Sequence, residues 1–77
     1  MIEIVVIMII KPGIYRHYKG KLVEVMQIAS HSETLEKMVV YRHTEGDREV
    51  WVRPLKMFLE TVEISGKRVP RFQYLDK

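Results

Sequence analysis

Turn-forming residues interrupt this chain so often that no long element fits between them. Pro12-Gly13, Lys19-Gly20, His31-Ser32-Glu33-Thr34, Thr44-Glu45-Gly46-Asp47, Pro54 and Ser65-Gly66 bracket short runs rich in β-branched and aromatic residues. Gly supplies positive φ, Pro removes a ladder donor, and Ser, Thr and Asp side chains bond their own backbone, so each cluster ends a strand for a physical reason. Short strands with turn signals about every eight to twelve residues specify an all-β domain, a small barrel or roll, rather than a helical or parallel-sheet fold.

The pattern predicts about five or six strands. Residues 14–18 and 22–29 read as a hairpin about Lys19-Gly20, which places His17 opposite Leu22 and Tyr15 opposite Glu24. Residues 38–43 and 48–53 form a second hairpin. Centred on Glu45 and Gly46, it sets Tyr41 opposite Val50 and Val39 opposite Val52 on a core face. Arg42 then meets Glu49, and Met38, Arg42, Trp51 and Arg53 share an outer face. After Pro54, residues 55–59 space their apolar groups as one helical turn closing a barrel end. Residues 61–64 give a further strand, and 69–75 a last one, with Pro70 placing it at an edge.

Residues 1–11 form an apolar leader ahead of a single small β-barrel domain over 12–77. The run from Met1 to Ile10 carries one charge, Glu3. A spanning helix needs about 20 apolar residues, so no membrane insertion is expected. An acid at the start and Lys11-Pro12 at the end do not fit a secretory signal. The β-branched content predicts an extra strand that pairs with a barrel edge or with its counterpart in a second copy, giving a homodimer.

At 77 residues there is room for one core. The absence of Cys excludes disulfides and thiolate zinc sites, leaves stability to packing, and fits a cytoplasmic location. The three histidines, His17, His31 and His43, fall on separate elements, so neither a metal site nor a cofactor is expected. His31, Ser32 and Glu33 are consecutive and their side chains diverge, which rules out a triad among them. No Gly-rich phosphate loop is present. The net charge of +3 is spread along the chain and only mildly favours phosphate partners.

Aromatic and basic residues interleave in Tyr15-Arg16-His17-Tyr18-Lys19, Tyr41-Arg42-His43, Trp51-Val52-Arg53 and Arg71-Phe72-Gln73-Tyr74. Stacking contributes about 1–3 kcal/mol per base, and guanidiniums grip phosphate or carboxylate with two parallel bonds. The expectation is therefore a binding module for a peptide, protein or nucleic acid, using Arg42, Trp51 and Arg53 with His17, Tyr18 and His31. The alternative is a small enzyme or ligand sensor whose pocket includes His17 and His31; catalysis ranks second.

The ordered series of residues 12–20, 31–34, 39–42, 51–60 and 69–72 resembles the family called domain of unknown function 1653. The resemblance runs from Pro12 to about Tyr74 and leaves the leader outside. It implies a small SH3-like barrel or roll of mostly bacterial distribution, and it implies no activity, substrate or cofactor. The stretch around His43 departs from the family pattern, which commonly has a small residue there.

Overall fold

The computed structural model describes residues 10–76, which are all-β apart from one helical turn. The elements are β1 (Gly13–His17), β2 (Leu22–Ser30), β3 (Lys37–His43), β4 (Val50–Pro54), α1 (Leu55–Phe58), β5 (Thr61–Ile64), β6 (Lys67–Pro70) and β7 (Phe72–Asp76). Five strands form one antiparallel sheet in the order β4-β3-β2-β1-β7, and β5 and β6 pair separately. The local turn signals thus translate into elements almost one for one, with α1 directly after Pro54 and β5 ending at Ser65-Gly66.

Both long hairpins sit one residue away from the expected register. In the first, the His17 carbonyl accepts from Gly20 N–H at 2.7 Å while His17 N–H donates to the Lys21 carbonyl at 2.7 Å. The loop is therefore Tyr18-Lys19-Gly20, closed by Gly20 at φ +107, a three-residue hairpin with a bulge rather than a two-residue turn. Tyr15 consequently faces Val23, and Arg16 faces Leu22. In the second hairpin Tyr41 faces Trp51, Val39 faces Arg53 and Arg42 faces Val50. Arg48, with φ 58, adopts the left-handed conformation just before β4 and helps set this odd-length loop. Because side chains alternate with a period of two, the slip moves Trp51 and Arg53 onto the face of Val39 and Tyr41, and moves Val50 and Val52 off it.

The last strand is two strands. Pro70 ends the β6 ladder, Arg71 donates its N–H to the Glu60 carbonyl at 2.9 Å and accepts from Tyr18 N–H at 2.9 Å, and the chain then changes sheets to become β7. This is how β7 comes to pair with β1, with His17 opposite Phe72.

The core gathers Tyr15, Val23, Val25, Val39 and Tyr41 from the sheet, Phe72 from β7, and Leu55 and Phe58 from α1. Phe58, only 2% exposed, stacks on Phe72 at 4.2 Å between centroids and meets Tyr15 edge-on at 5.4 Å. In β2 a register shift between Val25 and Gln27 bends the strand, and it restores Ile28 to the inner side opposite Val39. No ladder joins β4 to β7 among the described residues, so the sheet is rolled around α1 without a hydrogen-bonded seam.

Of the leader strand expected over residues 1–11, residues 1–9 lie outside the described residues, and with them the expected pairing in a homodimer; Ile10 and Lys11 are not in a strand. Ile10 is buried in the core. Lys11 N–H donates to the Tyr15 hydroxyl at 3.0 Å, and that hydroxyl donates to the Lys11 carbonyl at 2.9 Å. Lys11 is thus tied to β1. Among the described residues no helix is long and apolar enough to cross a membrane.

Candidate functional site

A cleft of 310 Å³ opens at the end of the roll where the β1–β2 loop, the end of β3, β4 and the start of β7 converge. Its floor is Val23, Tyr41 and Phe72, and its rim is His17, Lys19, Lys21, His43 and Arg53. No carboxylate lines it. A second hollow of 480 Å³ shares Lys19, Lys21 and His43 with it and continues along the loops to Glu45. The volume of the first is within the range of small-ligand sites, about 300–1,000 Å³.

Each rim group is placed by a local device. The β1–β2 bulge throws Lys19 and Lys21 to either side of Gly20. Lys19 N–H donates to His17 Nδ1 at 3.1 Å, which leaves Nε2 to carry the proton of the neutral ring. The His17 ring meets Phe72 edge-on at 5.0 Å and lies 4.6 Å from Tyr18. Burial pushes the His17 pKa below its usual value, and the charges of Arg71, Arg53 and Lys19 push it further down. Arg53 reaches across from β4 until its guanidinium lies 5.6 Å from the Phe72 centroid. Its Nε is buried and has no hydrogen-bond partner among the described residues. A cationic rim with an unsatisfied buried donor is arranged to accept an anion, since such a donor costs about 1–3 kcal/mol while unpaired.

The structure brings together only part of the predicted set. His17 and Arg53 line the same cleft. Tyr18 sits beside His17 but faces an adjoining 250 Å³ hollow with Ile64, Val69 and Pro70. Trp51 does not line the cleft; it pairs across the hairpin with Tyr41, which does, and is half-exposed on the edge strand. Arg42 is on the other face, where its Nε donates to Glu24 Oε1 at 3.0 Å; it pairs with β2 and not with Glu49. The expected common face of Arg42, Trp51 and Arg53 is therefore corrected by the one-residue slip of β4.

His31 is remote from His17. His17 closes β1 beside the Lys21 end of β2, and His31 follows Ser30 at the other end. Nine residues of strand at about 3.3 Å each put the two far beyond hydrogen-bond reach. His31 Nδ1 instead accepts from Glu33 N–H at 3.1 Å and Thr34 N–H at 3.2 Å, capping its own loop. Among the described residues no three His, Cys, Asp or Glu groups gather around a common point.

Lys19, Lys21, His43 and Phe72 were not singled out by sequence reasoning as members of one site. Lys19 reads as turn chemistry, and Phe72 joins only because β7 pairs with β1, a contact between the two ends of the domain.

No curated protein matches the chain. A crystal structure of a protein belonging to the same family from Bordetella bronchiseptica is 33% identical and superposes with a TM-score of 0.83, covering 91% of this chain and 92% of that one. The model of the family described as Protein of unknown function (DUF1653) matches residues 13–74, most of the folded chain. Together with the superposition over nearly the full length of both chains, this makes the chain a member of that family.

Proposed function

We propose that the domain is a binding module for a phosphate-bearing strand, single-stranded nucleic acid, with one phosphate seated in the cleft between Lys19, Lys21 and Arg53. The observation that carries this reading is the buried, unpartnered Arg53 Nε in a cleft rimmed by cations and lined by no carboxylate. The half-exposed Trp51, cross-strand from Tyr41, and the ring of Tyr18, beside His17, offer stacking surfaces to neighbouring bases. The overall +3 charge adds a favourable long-range field. A cytoplasmic setting is consistent with the cysteine-free composition.

Titration of labelled oligo-dT, oligo-rU, a free nucleotide and an acidic peptide against the full chain tests the reading. Oligonucleotide binding should weaken with salt on a log–log slope of about −0.7 for the one phosphate seated in the cleft, and more steeply if flanking phosphates are also neutralised. Lys19→Glu with Lys21→Glu should abolish it. A free nucleotide binding as tightly as the strand would convert the reading into a small-ligand sensor. Preference for the peptide, or no binding by the strand, would overturn it.

A further inference from the structure

Residues 49–53 read Glu-Val-Trp-Val-Arg, a stretch that is complementary to itself when run antiparallel. We propose that β4 is a self-pairing edge, through which two copies of the domain join antiparallel about a two-fold axis at Trp51. In that register Glu49 lies opposite Arg53 of the second copy, Val50 opposite Val52, and Trp51 opposite Trp51. Opposite charges meet at both ends and apolar side chains meet between them.

The fold leaves this edge available. β4 ends the five-stranded sheet with β3 as its neighbour, and no backbone hydrogen bond beyond that ladder involves residues 50–53 among the described residues. Val50, Trp51 and Val52 are 51%, 47% and 58% exposed in succession. Natural edge strands are usually guarded by a lysine, a bulge or an inward charge; the β3–β4 ladder runs without a register shift, and the inward charge of β4, Arg53, retains an unpaired donor. Three exposed apolar residues in succession, ended by a charge that can itself be paired, offer an edge for a partner strand. The occupant is a second copy because the charges at the ends of this strand complement each other only in antiparallel self-pairing. Parallel pairing in register would set Glu49 against Glu49 and Arg53 against Arg53.

Arg53 supplies a further reason. Glu49, Trp51 and Arg53 alternate onto one face of the strand, so the Glu49 carboxylate of the second copy would arrive on the side where Arg53 Nε has no partner. The guanidinium has five N–H donors, enough to hold that carboxylate and still face the cleft. The pairing goes beyond the cleft reading and does not depend on it. A two-fold arrangement makes the contact closed, so association stops at the dimer. A five-residue strand pair falls below the standard interface size of about 1,200–2,000 Å², so the dimer should dissociate on dilution.

Sedimentation of the full chain without ligand, from micromolar to millimolar concentration, tests this directly. Wild type should pass from monomer to dimer, and the emission of the single Trp should shift to shorter wavelength in step. Glu49→Arg and Arg53→Glu should each weaken association about tenfold or more, because both ends then carry like charges. The double exchange, Glu49→Arg with Arg53→Glu, should restore it to within about threefold of wild type. Val52→Lys, at an exposed position that does not touch the core, should abolish it and serves as the deciding variant if Arg53→Glu does not fold. A chain that stays monomeric throughout, single variants that dimerise like wild type, or a folded double exchange that fails to associate would each overturn the proposal. Ligand binding in the cleft is measured separately, at concentrations where the chain is monomeric and Arg53 is not held by Glu49 of a second copy, and Val52→Lys, which leaves Arg53 in place, separates the failure of one reading from the failure of the other.

Discussion

Arg53 on β4 lies over the ring of Phe72 on β7, 5.6 Å from guanidinium carbon to centroid, so the two outermost strands of one sheet meet across the mouth of the roll. That contact forms one wall of the cleft and leaves Arg53 Nε buried without an acceptor. Replacing Arg53 by Met keeps a long apolar stem over Phe72 and removes the unpaired donor. Stability should stay within about 1 kcal/mol of wild type by urea unfolding. Oligonucleotide affinity should fall at least about tenfold, the loss of one charge-assisted contact. Arg42→Ala, on the far face, should leave affinity unchanged and cost no more than about 1 kcal/mol, the usual range for a half-exposed pair such as Arg42 with Glu24.

Phe58 is the side chain on which the aromatic core closes. It stacks on Phe72 and touches the rings of Tyr15 and Tyr41 from a helical turn of only four residues. Phe58→Ala should cost about 3–5 kcal/mol, a large share of the roughly 5–15 kcal/mol available to a small domain. Denaturant unfolding should show the midpoint collapse, and Phe58→Leu should recover much of the loss. An unchanged midpoint would mean that α1 is not a structural plug.

Titration of His17 links the cleft to pH. The folded imidazole has its pKa held below 6.5 by burial and by Arg71, Arg53 and Lys19. Between that depressed pKa and 6.5 the unfolded chain holds the extra proton. Stability is therefore full above 6.5, is lost as pH falls through the window, and levels off once the folded ring is also protonated. His17→Asn, whose amide oxygen can still accept from Lys19 N–H, should flatten this part of the melting profile. A bound phosphate acts in the opposite direction on the same ring, so wild-type affinity should rise as pH falls below 6.5 and the Asn variant should lose that rise.

Leu35 occupies the left-handed region at φ 65 and is 68% exposed in the loop between β2 and β3. An L side chain in that conformation costs about 1–2 kcal/mol, and here it buries little in return. Leu35→Gly should stabilise the domain by up to about 1 kcal/mol after the added chain entropy of Gly is subtracted. Thermal melting should rise by several degrees. A fall would indicate that Leu35 packs against something in solution.

Elements whose causes are local were legible in the sequence. Proline stops β4 and starts α1, Ser65-Gly66 turns β5 into β6 with φ 51 and 80, and His31-Ser32-Glu33-Thr34 ends β2 in a loop. Each rests on one or two residues and the backbone angles they prefer, so a reading of near neighbours suffices. The all-β class follows from the same short-range signals.

The site was not legible, because it depends on register and on closure. A turn one residue longer than expected in each hairpin is a difference of backbone angles at Gly20 and Arg48, yet it decides which face of β4 carries Trp51 and Arg53. The amino-acid order therefore determined which segments are strands and where they end. Only the rolled sheet decided that His17 and Phe72 stand opposite each other, that Arg53 leans over that ring, and that Arg42 and His31 lie elsewhere. The physical reason is that strand alternation turns a single-residue shift into a change of face, while the β1–β7 pairing is made between residues far apart in the chain, where local preference has no hold.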